Sequence, residues 1–144
     1  MKLELKYITP YLPYGLTYQT YLPIMGENGK KIPTINILHP DDVEPLLDTG
    51  KLFDAEATII LRPLSDLTKE IEHKGQKGGD LFIPVHILMC PTFKFCADKE
   101  ELLFNLQSPE SIERCPYNVV QKLLEWHFNV FDLPEHLWIN KAKV

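Results

Sequence analysis

Twelve prolines in 144 residues set the tightest limit on what this chain can build. In a helix interior, a proline removes a backbone donor and clashes with the carbonyl four residues back. They run from Pro10 to Pro134, so no long stretch is left for a helical bundle. Short elements in an α+β architecture are expected instead. The length suffices for one domain, 1–144, with a real core, and no internal repeat or low-complexity linker interrupts it.

The strongest local signal is Asn28-Gly29 in LTYQTYLPIMGENGKKIPTINIL. This dipeptide tolerates positive φ at both turn positions and predicts a β-hairpin. A two-residue turn pairs Glu27 with Lys30. Continuing that register sets Leu22 opposite Ile35 and Thr20 opposite Ile37, with Tyr21 and Asn36 on the other face. Just ahead, KYITPYLPYGLTYQTY holds Tyr7, Tyr11, Tyr14, Tyr18 and Tyr21. Their spacing mimics a helical stripe, but Pro10, Pro13 and Gly15 argue for an extended, aromatic-lined segment leading into the strand.

Further along, HPDDVEPLLDTGKLF reads as a helical turn and loop, and ATIILR as a strand. PLSDLTKEIEH is expected to be a short helix capped by Ser65. KGQKGGD is a loop, LFIPVHIL a strand interrupted by Pro84, and TFKFCA a further strand. DKEELLFNL has helical spacing behind an Asp98 cap. The span 116–131 is the clearest helix. The fold expected is a small, mostly antiparallel sheet packed against that long C-terminal helix.

Advancing about 100° per residue along 116–131 separates two arcs cleanly. Trp126 and Val119 stand at one edge of the apolar arc, Tyr117 and Phe128 at the other, and His127 at its centre. His127 is therefore expected to be a neutral core histidine with a hydrogen bond. The apolar arc spans about 200°, wider than the ~100° stripe of a surface helix. More than one side must be covered, by the sheet and by another segment or a second subunit, which leaves a homodimer open.

Few residues suggest chemistry. Cys115, at the expected helix N-terminus beside Arg114, is the candidate reactive thiol, since dipole and cation both favour a thiolate. Its obvious base, His127, would lie about 18 Å away along the helix, too far for a dyad. His86, Cys90 and Cys96, with His73 or His136, form neither CxxC nor HxxxH, so no metal site is expected, and no cofactor motif is present. Gly75–Gly79 is glycine-rich, but the order helix, loop, strand is wrong for a phosphate cradle. Its Gly75-x-x-Gly78 spacing is similar to an RNA-clamping loop without the usual apolar lead. Arg62 and Asp66, four apart across a strand-to-helix junction, are expected to form an ion pair or shared hydrogen-bond network that fixes that corner, with Ser65 as cap and ligand binding by Arg62 as the alternative. Tyr11, Tyr14 and Trp126 complete the candidate binding residues.

A net charge of -5 argues against a general nucleic-acid binder. Three cysteines without framework spacing suit a reduced, cytoplasmic setting. MKLELKYITP lacks the apolar region of a signal peptide, and LFIPVHILMC is too short to cross a bilayer.

Three blocks, LKYITPYLPYGL, ILRPLSDLTKEIE and VVQKLLEWHFNVFDL, together resemble small uncharacterised proteins encoded in phages and prophages of gut bacteria. The family runs through a shorter loop into a FVPI-like strand, so Gly78-Gly79-Asp80 looks like an insertion here. The resemblance carries no catalytic residues and implies context: an accessory protein in the bacterial cytoplasm. A non-enzymatic protein that binds another protein is the expected function. The alternatives are a nucleic-acid module using the tyrosine-rich N-terminus and the Gly75–Gly79 loop, and a small-ligand binder or enzyme using Cys115 or a pocket near Arg62.

Overall fold

Helix starts and strand register place the described residues, which in this computed structural model are 2–22, 32–53, 55–73, 81–90 and 98–143. The Asn28-Gly29 turn, the Gly75–Gly79 loop and the TFKFCA strand lie outside them. In chain order the first elements are α1 (Leu5–Ile8), β1 (Thr17–Leu22), β2 (Ile32–Ile37), α2 (Pro40–Thr49), β3 (Lys51–Leu52) and β4 (Ala55–Leu61). β5 (Ile71–Glu72), β6 (Leu81–Phe82), α3 (Pro84–Leu88), α4 (Lys99–Asn105), α5 (Pro109–Glu113), α6 (Tyr117–Glu125) and β7 (Trp138–Asn140) follow. The chain divides into two compact units, residues 1–61 with 133–144, and residues 62–132.

In the first unit, the tyrosine-rich segment is helical rather than extended. α1 passes into a 3₁₀ turn, Thr9–Tyr14, which Gly15 closes at φ 68°. Pro10 sits in the first turn of that segment, where its missing N–H costs nothing. α2 also starts on a proline, Pro40. The Asp42 carboxylate accepts from the His39 N–H at 3.2 Å, and Gly50 ends the helix at φ 68°. Where a helical turn and a loop were expected, α2 is a full ten-residue helix leading into β3.

The sheet runs β2-β1-β4-β3, and β7 lies parallel to β4. β1 and β2 are antiparallel as expected, but the register differs. Leu22 faces Ile32 and Gln19 faces Ile35, where the two-residue turn would have put Leu22 opposite Ile35. The shift of three is odd, so it exchanges faces. What selects this register is the central strand: Tyr18 stands between Asn36 and Ile59, and Thr20 between Thr34 and Ala57. Tyr18, Thr20 and Ile59 are all buried. Ile8, Tyr11, Leu16, Leu38, Val43 and Leu46 are buried in the same unit.

The second unit consists mostly of short helices. Asp98 caps α4 by accepting from the Glu101 N–H at 2.8 Å, as its sequence predicts. Ser65 does not cap. It lies inside a 3₁₀ segment, Leu64–Thr68, whose preceding residue is Pro63. Pro84 starts α3 instead of interrupting a strand, again because the first helical turn tolerates a missing N–H.

The long C-terminal helix is shorter than its periodicity suggests. α6 ends at Glu125. His127 takes a left-handed conformation, φ 64°. Its N–H reaches the Leu124 carbonyl at 3.0 Å, and the Phe128 N–H reaches the Leu123 carbonyl at 2.9 Å. These two bonds form the double closure of a Schellman motif, with histidine where glycine is usual. The apolar pattern continues to Phe131, but the chain no longer winds, so the residues beyond Trp126 are buried by a turn rather than by a helix face.

Candidate functional site

Arg62 explains how that turn is held. Its backbone N–H donates to the His127 carbonyl and its carbonyl accepts from the Asn129 N–H, both at 2.8 Å. Its Nε donates to the Trp126 carbonyl at 3.1 Å, and its Nη2 to the Glu72 carbonyl at 2.6 Å. Arg62 is 5% exposed. Burial pulls its guanidinium below its ordinary pKa, while Asp66 and Glu72 pull it back up. The expected Arg62–Asp66 pair is not the arrangement found. Asp66 pairs with Lys69 at 3.4 Å, and Arg62 spends its bonds on carbonyls. The intervening segment is 3₁₀, which does not present residues four apart as an α-helix would. Arg62 is thus a clamp between the Glu72 strand and the Trp126 turn.

The other sequence candidates are packed into their units. Trp126 is wholly buried, with Phe82 tilted against it at 5.1 Å between ring centroids and the Lys122 ammonium 5.9 Å from its ring. His127 is buried as expected, its ring edge-on to His73 at 5.4 Å. Tyr11 is wholly buried and Tyr14 half-buried. The half-buried Cys115 thiol lies 3.4 Å from the Ser111 carbonyl and 3.6 Å from the Asn105 carbonyl. Among the described residues, no group of three or more histidine, cysteine or acidic side chains could hold a metal. No helix among them is long and apolar enough to cross a membrane. A cleft of about 440 Å³ in the first unit is lined by Leu46, Thr49, Gly50, Thr58, His136 and Leu137 among others.

The arrangement best suited to recognition was not singled out from the sequence: the β2 end of the first unit's sheet. Register puts Tyr21, Gln19 and Thr17 on one face with Pro33, Ile35 and Ile37. Toward β4 this face is closed, with Gln19 and Ile60 buried. Toward β2 it is open, and Tyr21, Ile35 and Ile37 are 47%, 48% and 56% exposed. β2 also ends the sheet order among the described residues. The Leu38 N–H bonds to the Leu16 carbonyl at 2.7 Å, which fixes the alternation: Asn36 and Thr34 bond toward β1, while Ile35 and Ile37 aim their N–H and C=O outward. Pro33 has no outward donor. On the opposite face, burial and the Asp42 charge raise the Tyr18 phenol above its ordinary range, opposed by its hydrogen bond with Asn36. The sequence signal for this edge is the uncharged run IPTINIL, since exposed edges are usually protected by charge.

Comparison with protein-family models, with curated proteins and with solved structures returns no match.

Proposed function

We propose that this protein acts by binding another protein, without catalysis, as a phage- or prophage-associated accessory protein in the bacterial cytoplasm. The observation that carries the binding function is the open apolar face of Tyr21, Ile35 and Ile37 beside a strand edge that no strand among the described residues pairs. Solvent-facing isoleucines on an edge strand are costly to keep unless a partner covers them. The cellular context rests on the three phage-like sequence blocks. The test is affinity purification from infected or lysogenic bacteria, with quantitative mass spectrometry, of the wild type beside Tyr21→Ser/Ile37→Thr. A protein enriched by the wild type and lost with the double variant supports the function. Equal recovery with both, or enrichment by neither, overturns it.

A further inference from the structure

We infer that the trough between α2 and the β3–β4 hairpin is a second docking surface, which takes a segment of a partner protein in which lysine or arginine stands beside a large apolar side chain. This surface is independent of the Tyr21 face, which lies at the other end of the sheet order.

Phe53 supplies the apolar half. Leu52 pairs with Ala55, which leaves Phe53 at the hairpin tip. Its backbone is left-handed, φ 53°, and it is 72% exposed. Glycine or asparagine takes this conformation at little cost, and a bulky side chain does not. One position thus carries both backbone strain and an exposed ring, and neither helps the chain to fold. Beside the ring, a cleft of about 400 Å³ is lined by Asp42, Pro45 and Thr49 of α2 and by Lys51, Leu52 and Phe53 of the hairpin. Leu52 is buried and gives the cleft an apolar floor. A protruding ring is taken out of water only by a surface that surrounds it, so a macromolecule fits here better than a small ligand.

Charge sets the other half. α2 carries Asp41, Asp42, Glu44 and Asp48 and no basic residue. With Glu56 and Lys51 of the hairpin, five carboxylates stand against one ammonium, which leaves four of the five net negative charges of the whole chain around this trough. None of these six side chains forms an ion pair with another described residue. Lys51 stands opposite Glu56 in the ladder, on the hairpin side. Asp41 and Asp48 flank Pro45 on the helix side, four residues before it and three after, and form the rim there. A rim of this sign repels nucleic acid and anionic lipid and steers a basic protein segment toward Phe53.

The experiment uses the full chain, and the probe is a phage-displayed library of random peptides selected against it at low salt. Enriched peptides are expected to combine Lys or Arg with Leu, Ile, Met or an aromatic residue. Made synthetically, they are expected to bind Phe53→Gly about tenfold or more weaker than wild type. Glycine removes the ring and the strain together, so Phe53→Gly is expected to unfold at the same urea concentration as wild type or a higher one. Asp41→Asn/Asp48→Asn removes one charge from each end of α2, so its effects on the helix dipole oppose each other. This variant is expected to bind more weakly and with a shallower salt dependence. Enrichment of no peptide, or of peptides without basic residues, overturns the inference. So does undiminished affinity for Phe53→Gly, or an unchanged salt dependence in Asp41→Asn/Asp48→Asn. A Phe53→Gly that unfolds at lower urea assigns the ring to the fold and overturns it too. Peptides kept by Phe53→Gly but lost by Tyr21→Ser/Ile37→Thr overturn this surface alone and leave the proposed function standing.

Discussion

Replacing Arg62 with methionine keeps most of the side-chain volume and removes the guanidinium. The Trp126 carbonyl then loses a donor at 3.1 Å, at a residue that is wholly buried. A hydrogen bond from a charged donor contributes about 1.5–3 kcal/mol. The Glu72 carbonyl loses a bond at 2.6 Å, but Glu72 is exposed and water can replace the donor. Against these losses stands the relief of a buried charge, the same desolvation that lowers the Arg62 pKa. The net expectation is a loss of about 2 kcal/mol for Arg62→Met, and more for Arg62→Ala, which also leaves a cavity. Urea unfolding followed by Trp126 fluorescence in a Trp138→Phe background reads the second unit specifically. Stability of Arg62→Met within about 0.5 kcal/mol of its parent would refute the clamp, because ordinary surface changes already fall in that range.

The left-handed His127 makes a paired prediction: His127→Ala should be less stable than His127→Gly by about 1 kcal/mol, since both lose the ring but only alanine keeps the strain at φ 64°. Equal urea midpoints for the two would remove the strained cap. For Tyr18, the folded pKa lies above the unfolded value near 10. The folded state then holds a proton that the unfolded state releases, so stability is full below about pH 10 and falls as pH rises through the folded pKa. Tyr18→Phe should flatten this alkaline decline in unfolding curves measured from neutral pH upward, and an unchanged slope would assign the decline to other groups.

Much of the local structure was legible because it depends on neighbouring residues alone. The Asp98 cap, the strand at Ala55–Leu61 and the burial of His127 follow from a carboxylate ahead of a helix, an apolar β-branched run and an apolar periodicity. Pro40 and Pro109 open helices, but Pro45 lies inside α2, and Pro84 starts a helix where a strand interruption is expected, since a proline fits the first turn of a helix as well as the interruption of a strand. The candidate site was harder to see. A run such as IPTINIL looks the same as a central or an edge strand, and only sheet order tells which of its groups remain unpaired.

What the sequence determined by itself is the kind of molecule: short elements limited by proline, mixed helix and antiparallel sheet, and the burial of His127. Tertiary structure decided where elements stop and how they align. α6 stops at Glu125 because His127 turns left-handed and Arg62 takes the carbonyls beyond it, bonds made by a residue more than sixty positions away. The β1–β2 register is set by burying Tyr18 and Thr20 beside β4, and no turn propensity encodes that. β7 is a strand because β4 offers it an edge. Caps and periodicities are local interactions that a chain carries with it. Registers and helix ends are settled by competition for backbone hydrogen bonds and buried area, and the competitors meet only once the chain has folded.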